Sequence, residues 1–212
     1  MKRILLLAAI AVLLVNTSQA QNVTRKAGDW IVRGGVGGVL PKSDNLSIPN
    51  VGTVEVDDGY AITINATYMV TDAIGIELLA ATPFKHDIEV AGAGKIGSTY
   101  QLPPTLSVQW HTPVIGPIQP YVGLGINWTV FFDEETTPLL DSVIGGPTTL
   151  NLDSSLGVAG QIGADWNLNQ NWLLNLDVRY ISIETDAQVN GIELGKVDIT
   201  PWVVSLNVGY KF

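Results

Sequence analysis

The stretch Tyr60-Ala61-Ile62-Thr63-Ile64-Asn65-Ala66-Thr67-Tyr68-Met69-Val70 decides the fold class. Tyr60, Ile62, Ile64, Ala66, Tyr68 and Val70 share one face. Ala61, Thr63, Asn65, Thr67 and Met69 share the other. A period of two marks a β-strand whose two faces meet different surroundings, because successive side chains point to opposite sides of a sheet. A helix would scatter the same apolar residues around its whole circumference.

The alternation recurs at 30–40, 74–85, 100–110, 120–132, 156–168, 172–180 and 202–212. The prediction is therefore eight strands of roughly 9 to 13 residues, each long enough to cross a bilayer when tilted. Short links near 71–73, 112–119 and 169–171 alternate with long ones near 41–58, 86–98, 133–154 and 185–198. The long links are rich in Gly, Asp, Pro or Asn and read as loops. Bacterial outer-membrane barrels have this rhythm, with tight periplasmic turns, long outer loops and both termini on the periplasmic side. The predicted fold is all-β, an eight-stranded antiparallel transmembrane β-barrel. Closure is needed because an open sheet edge has no hydrogen-bonding partner in hydrocarbon.

The two faces differ in kind. One carries large aliphatics, with Trp30, Trp110, Trp166, Trp172, Tyr210 and Phe212 near the periplasmic rim and Tyr60, Phe84, Tyr100, Phe132, Tyr180 and Trp202 near the outer rim. Two aromatic girdles around an apolar band suit a bilayer. The other face is mostly Gly, Ala, Ser, Thr, Asn and Gln, which suits a narrow interior. The alternative is an inverted, lipocalin-like soluble barrel, which would bury the tryptophans and expose the glycines.

The N-terminus reads separately. Lys2 and Arg3 precede an apolar run from Ile4 to Val15, and Ser18-Gln19-Ala20 offers a small-x-small cleavage site. This is the pattern of a secretory signal peptide over 1–20, leaving a barrel over 21–212. Twelve apolar residues fall short of the ~20 a membrane helix needs. The chain holds eleven Lys and Arg, and without Lys2 and Arg3 nine remain against twenty Asp and Glu, a net charge near −11. That excess argues against nucleic acid as a partner. There is no cysteine, so neither disulfides nor a thiolate zinc site is available. Mean hydropathy is +0.27, yet no run of 18 apolar residues follows the leader, so helical spans are excluded.

Three longer segments stand out: Ile76-Glu77-Leu78-Leu79-Ala80-Ala81-Thr82-Pro83-Phe84-Lys85-His86, Leu102-Pro103-Pro104-Thr105-Leu106 with Gln109-Trp110, and Pro120-Tyr121-Val122-Gly123 continuing through Gly125-Ile126-Asn127 to Phe131-Phe132-Asp133. They resemble the OmpW family of outer-membrane proteins. Gly160-Gln161-Ile162-Gly163 and the stretch Trp172 to Tyr180 also match, so the resemblance runs over nearly the whole mature chain. It implies an eight-stranded barrel with a narrow, largely hydrophobic channel that passes small apolar molecules and releases them sideways into the membrane. It needs no cofactor. Tyr210 and the terminal Phe212 resemble the C-terminal signal read by barrel-assembly machinery. The expected partners are outer-membrane lipid, small apolar solutes and that machinery.

Alternation predicts the lumen. It places Met69, Leu79, Phe131 and Leu173 inside as apolar lining, Tyr121 inside as well, and Arg33, Glu77, Lys85, Asp165, Asp177 and Arg179 as interior charges. Two roles are open for the charges. They either pair and plug the barrel, since buried charges must be compensated, or they meet a solute with a polar end. Arg179 fits a strictly hydrophobic tunnel poorly. Pro83, Pro103 and Pro104 fall within predicted strands, where proline breaks a ladder. They mark either a local bulge or a candidate opening in the wall. An enzyme is not expected. His86 and His111 are far apart in the sequence, and neither a nucleophile elbow nor a phosphate loop is present. A structural or receptor barrel with a closed lumen and partner-binding outer loops is the second functional reading.

Overall fold

The computed structural model describes residues 24–48 and 52–212. The predicted leader, 1–20, lies outside the described residues. The strands in chain order are β1 (Trp30–Leu40), β2 (Leu46–Ile48), β3 (Gly52–Val56), β4 (Gly59–Met69), β5 (Ile74–Ala81), β6 (Phe84–Val90), β7 (Gly94–Leu102) and β8 (Thr105–His111). They continue with β9 (Ile118–Thr136), β10 (Leu150–Leu152), β11 (Ser155–Asn167), β12 (Trp172–Ile181), β13 (Glu184–Val189), β14 (Ile192–Asp198) and β15 (Trp202–Lys211). One helix, α1 (Pro138–Ile144), follows β9.

Eight of these strands form a closed antiparallel ring in the order β1, β4, β5, β8, β9, β11, β12, β15. β15 pairs back onto β1 from Ile31↔Lys211 to Leu40↔Trp202, so the first stave is sealed by the last. The phase predicted from Tyr60–Val70 is the observed one. Thr63, Asn65, Thr67 and Met69 are buried inside, while Tyr60, Ile62, Ile64 and Tyr68 face out. The exterior is apolar throughout, and Leu124 and Leu156 are each 77% exposed. All six tryptophans face outward, so the inverted barrel is excluded. An apolar exterior of this extent is stable only against lipid.

The long connections are not loops. β2, β3, β6 and β7 extend the sheet from the upper part of β9, and β10, β13 and β14 form a second, three-stranded sheet. These build an outer storey above the membrane staves. β9 runs through both storeys, pairing with β8 through His111↔Tyr121 to Thr105↔Asn127 and higher up with β7 from Leu102↔Val130 to Gly97↔Thr136. Asp133, Glu134 and Glu135 therefore lie in a strand rather than a loop.

The prolines redraw two predicted strands. The segment 74–85 splits into β5 and β6 around Thr82-Pro83, and 100–110 splits into β7 and β8 around Pro103-Pro104. The break at Pro83 shifts the alternation by one residue. Phe84 consequently points inward and is buried, not part of the outer aromatic girdle, and Lys85 points outward, with its Nζ 5.4 Å from the centre of the Tyr100 ring. Lys85 is not a lumen charge.

Candidate functional site

The interior is layered. At the periplasmic end Ile31, Met69 and Leu173 pack together. One turn of the pleat higher lies a belt of ionised groups. Arg33 donates through Nε and Nη2 to both oxygens of Asp165, at 3.0 and 2.7 Å, and through Nη1 to Thr67 at 2.8 Å. Its Nη1 also lies 3.6 Å from Glu77. Arg179 donates to Glu77 and to Asp177, each at 2.6 Å. The Tyr121 hydroxyl donates to Asp177 at 2.7 Å, and Asn175 donates to Asp165 at 2.8 Å. Arg25, from the segment before β1, also pairs with Asp165. Three guanidinium groups thus balance three carboxylates, with every side chain buried. Balanced charge and multiple hydrogen bonds are what allow such groups to leave water.

Glycines make room for this belt. A Cβ on Gly163 would come within 2.3 Å of the Tyr121 ring and hydroxyl, and Gly163 is the residue paired with Tyr121 across β9 and β11. Only a residue without a side chain lets the phenol lie across the lumen there.

Above the belt is a neutral polar layer containing Thr63, Asn65, Ser107, Asn127 and Asn207. Above that the interior turns apolar. Val39, Phe84, Phe131, Ile181, Ile183 and Val203 belong to the largest buried apolar cluster. It continues into a cavity of about 410 Å³ inside the outer storey, whose walls include Val54, Ile88, Ile96, Leu140 and Leu150. Among the described residues, no three His, Asp or Glu side chains converge to hold a metal ion.

The wall beside this transition is interrupted. β5 pairs with β8 up to Leu79↔Thr105, and β6 pairs with β7 from Phe84↔Gln101. Between them, residues 80–83 and 102–104 exchange no ladder pairs, since Pro83, Pro103 and Pro104 have no N–H to donate. Each arm stays attached on its other side. Thr82 donates to Ile62 at 2.9 Å and Trp128 donates to Pro104 at 3.0 Å. The interruption is thus confined to one seam.

The barrel is thus closed by eight staves, aromatic at both rims and filled in layers. Residues 26–212 match the OmpW family. The chain belongs to the OmpW family. Outer membrane protein W of Escherichia coli strain K12 is 37% identical over 98% of this chain and 99% of its own length. Outer membrane protein W of Vibrio cholerae is 38% identical, covering 92% of this chain and 94% of its own. The crystal structure of OprG from Pseudomonas aeruginosa superposes with a TM-score of 0.78 at 36% identity, over 91% of this chain and 99% of that one. This OmpW-family chain is accordingly an outer-membrane protein of the Gram-negative type.

Of the residues singled out from the sequence, Arg33, Glu77, Asp165, Asp177 and Arg179 are brought into one belt, and Lys85 is not. The four apolar lining residues are all buried but do not form one path. Met69 and Leu173 lie below the belt, Leu79 is beside the seam, and Phe131 lines the outer cavity. Tyr210 and Phe212 are in contact on the periplasmic rim, with ring centres 4.8 Å apart. Sequence reasoning missed Arg25, because it precedes the first strand and has no period to place it. It also missed Gln101 and His86 as cavity residues. The spacing Phe84, His86, Ile88, Val90 held a legible signal, an alternation that begins anew after Pro83.

Proposed function

We propose that this OmpW-family barrel takes small hydrophobic molecules from the outside and passes them sideways into the membrane. The observation that carries the reading is the order of the layers: an apolar cavity above a polar layer and a charge-balanced belt, with an unladdered seam in the wall beside the transition. An apolar solute gains by leaving water for the cavity. It then meets three buried guanidinium groups and their carboxylates, where it would have to displace good ion pairs and replace them with nothing. The lower-energy route is through the seam at Pro83, Pro103 and Pro104 into hydrocarbon. No energy source or cofactor enters this scheme. The second reading, a receptor barrel with a closed lumen, draws on the same belt but leaves the cavity without a purpose.

The test is influx of a small apolar solute into liposomes holding the refolded protein, with an ion of similar size as control. The expected result is faster apolar uptake without ion conductance. Phe131→Asp should lower that uptake at least about tenfold, because a carboxylate in the cavity costs several kcal/mol to desolvate. Ion conductance alone, or no flux of either probe, would defeat the reading. In the second case binding to the outer storey becomes the property to measure.

A further inference from the structure

Two polar side chains facing the apolar cavity carry polar atoms with no hydrogen-bond partner among the described residues. Gln101 is wholly buried, and neither its Oε1 nor its Nε2 makes a hydrogen bond. Its cross-strand neighbours are Phe84 on β6 and Phe131 on β9, neither of which can supply one. His86 is also buried. Its Nδ1 lies 2.6 Å from the carbonyl oxygen of Asp57. A carbonyl only accepts, so Nδ1 carries the proton and the neutral ring presents a bare lone pair at Nε2. That atom is likewise unpartnered. The ring cannot turn away easily, because the backbone of Gly59 packs against it so closely that a Cβ there would meet Cε1 at 2.5 Å.

The two groups belong together. His86 pairs with Thr99 and Gln101 pairs with Phe84, which makes His86 and Gln101 diagonal neighbours on one sheet face, on the order of 7 Å apart. Both line the cavity, and Gln101 lies two residues before the Pro103 seam. Burying an amide with neither end satisfied is unfavourable, and an apolar side chain of similar size would fit between two phenylalanines without that cost. The unpaired atoms comprise two acceptors and one NH2 donor.

We infer that Gln101 and His86 form a polar recognition point at the foot of the apolar cavity, selecting solutes with an apolar body and an uncharged head that both donates and accepts hydrogen bonds, a hydroxyl being the simplest. This deepens the uptake reading and rests on it. A hydroxyl donates to Gln101 Oε1 or His86 Nε2 while accepting from the Gln101 NH2. A carbonyl or ether head accepts only, leaving both acceptors unmet. A carboxylate also only accepts, and it would face two lone pairs.

The test compares 1-octanol with n-octane, titrated at equal mole fraction of the bilayer into nanodiscs holding the full mature chain. The readouts are the resonances of the Gln101 side-chain amide and the His86 imidazole nitrogens. The expected result is about tenfold stronger binding of 1-octanol, with both sets of resonances shifting. Gln101→Leu, or Gln101→Met should the leucine variant fold poorly, removes most of that preference and leaves octane binding unchanged or stronger. Equal binding of the two probes, or octanol binding with both sets of resonances unmoved, overturns the recognition point and leaves the uptake reading standing. Binding of neither probe in the cavity overturns both.

Discussion

Glu77→Gln tests whether the charged belt holds the barrel together. Glu77 is the carboxylate shared between two guanidinium groups, receiving Arg179 at 2.6 Å and lying 3.6 Å from Arg33. The substitution leaves three buried arginines against two aspartates. Removing one partner of a buried ion pair costs about 3–5 kcal/mol, because a charge stays behind without compensation. Gln retains a neutral acceptor for Arg179, which places the expected loss near the lower end, about 3 kcal/mol. The lost charge-assisted hydrogen bond is part of that figure and does not add to it. The assay is equilibrium urea unfolding in lipid vesicles, followed by tryptophan fluorescence, since every tryptophan faces lipid and reports its release. Adding Arg179→Met to Glu77→Gln restores formal balance and should recover part of the loss, visible as a coupling energy between the two sites. A loss under about 1 kcal/mol for Glu77→Gln, or a double variant that loses the full sum of both singles, would refute the reasoning that the belt is one compensated unit.

Other outcomes follow from the same geometry. Gly163→Ala should displace Tyr121 from Asp177 and cost about 1–3 kcal/mol in the same unfolding assay, as overpacking does. Replacing Pro103 and Pro104 by Val and Thr supplies two backbone donors to the seam, and apolar influx into liposomes should fall several-fold while urea stability is kept or raised. Burial holds the imidazole of His86 below its ordinary pKa, against the pull of its hydrogen bond to Asp57 and the carboxylates of Asp58, Asp57 and Asp87. The folded state therefore binds fewer protons than the unfolded one near that value. The contribution of His86 to stability is complete above about pH 6.5 and declines as pH falls through the lower, folded value. Amide protection in β6 and β7 should weaken over that range, and His86→Gln should flatten the dependence.

The membrane storey was legible because lipid outside and a polar lumen inside impose a strict period of two, as at Tyr60–Val70. The outer storey was not, because its strands are short, its sheets face water and an apolar cavity, and glycine and aspartate within it imitate loop composition. The prolines interrupt the period. An extended chain read through Pro83 puts Phe84 in lipid and Lys85 in the lumen, whereas one skipped position reverses both. The charged belt was readable residue by residue from alternation on β1, β5, β11 and β12, but its pairing was not. Which carboxylate meets which arginine depends on the stagger between staves, which the period does not contain. Arg25 lay beyond reach because it precedes the first strand, whereas the inward phase of Gln101 and His86 was legible and their lack of partners was not.

The seal between β1 and β15 has a consequence for how the protein comes into being. Ile31 meets Lys211, and the amide of Phe212 donates to the carbonyl of Trp30 at 2.8 Å. A ribosome delivers those partners nearly a whole barrel apart. Until β15 emerges, the first stave has one edge that nothing can satisfy, and an unsatisfied edge invites pairing with other chains. Contacts of such sequence separation also form slowly. The barrel is therefore a structure that cannot be assembled progressively as the chain appears. The whole chain has to be kept unfolded and apart from its copies while it crosses the cell envelope, and folding becomes a single late event at the membrane.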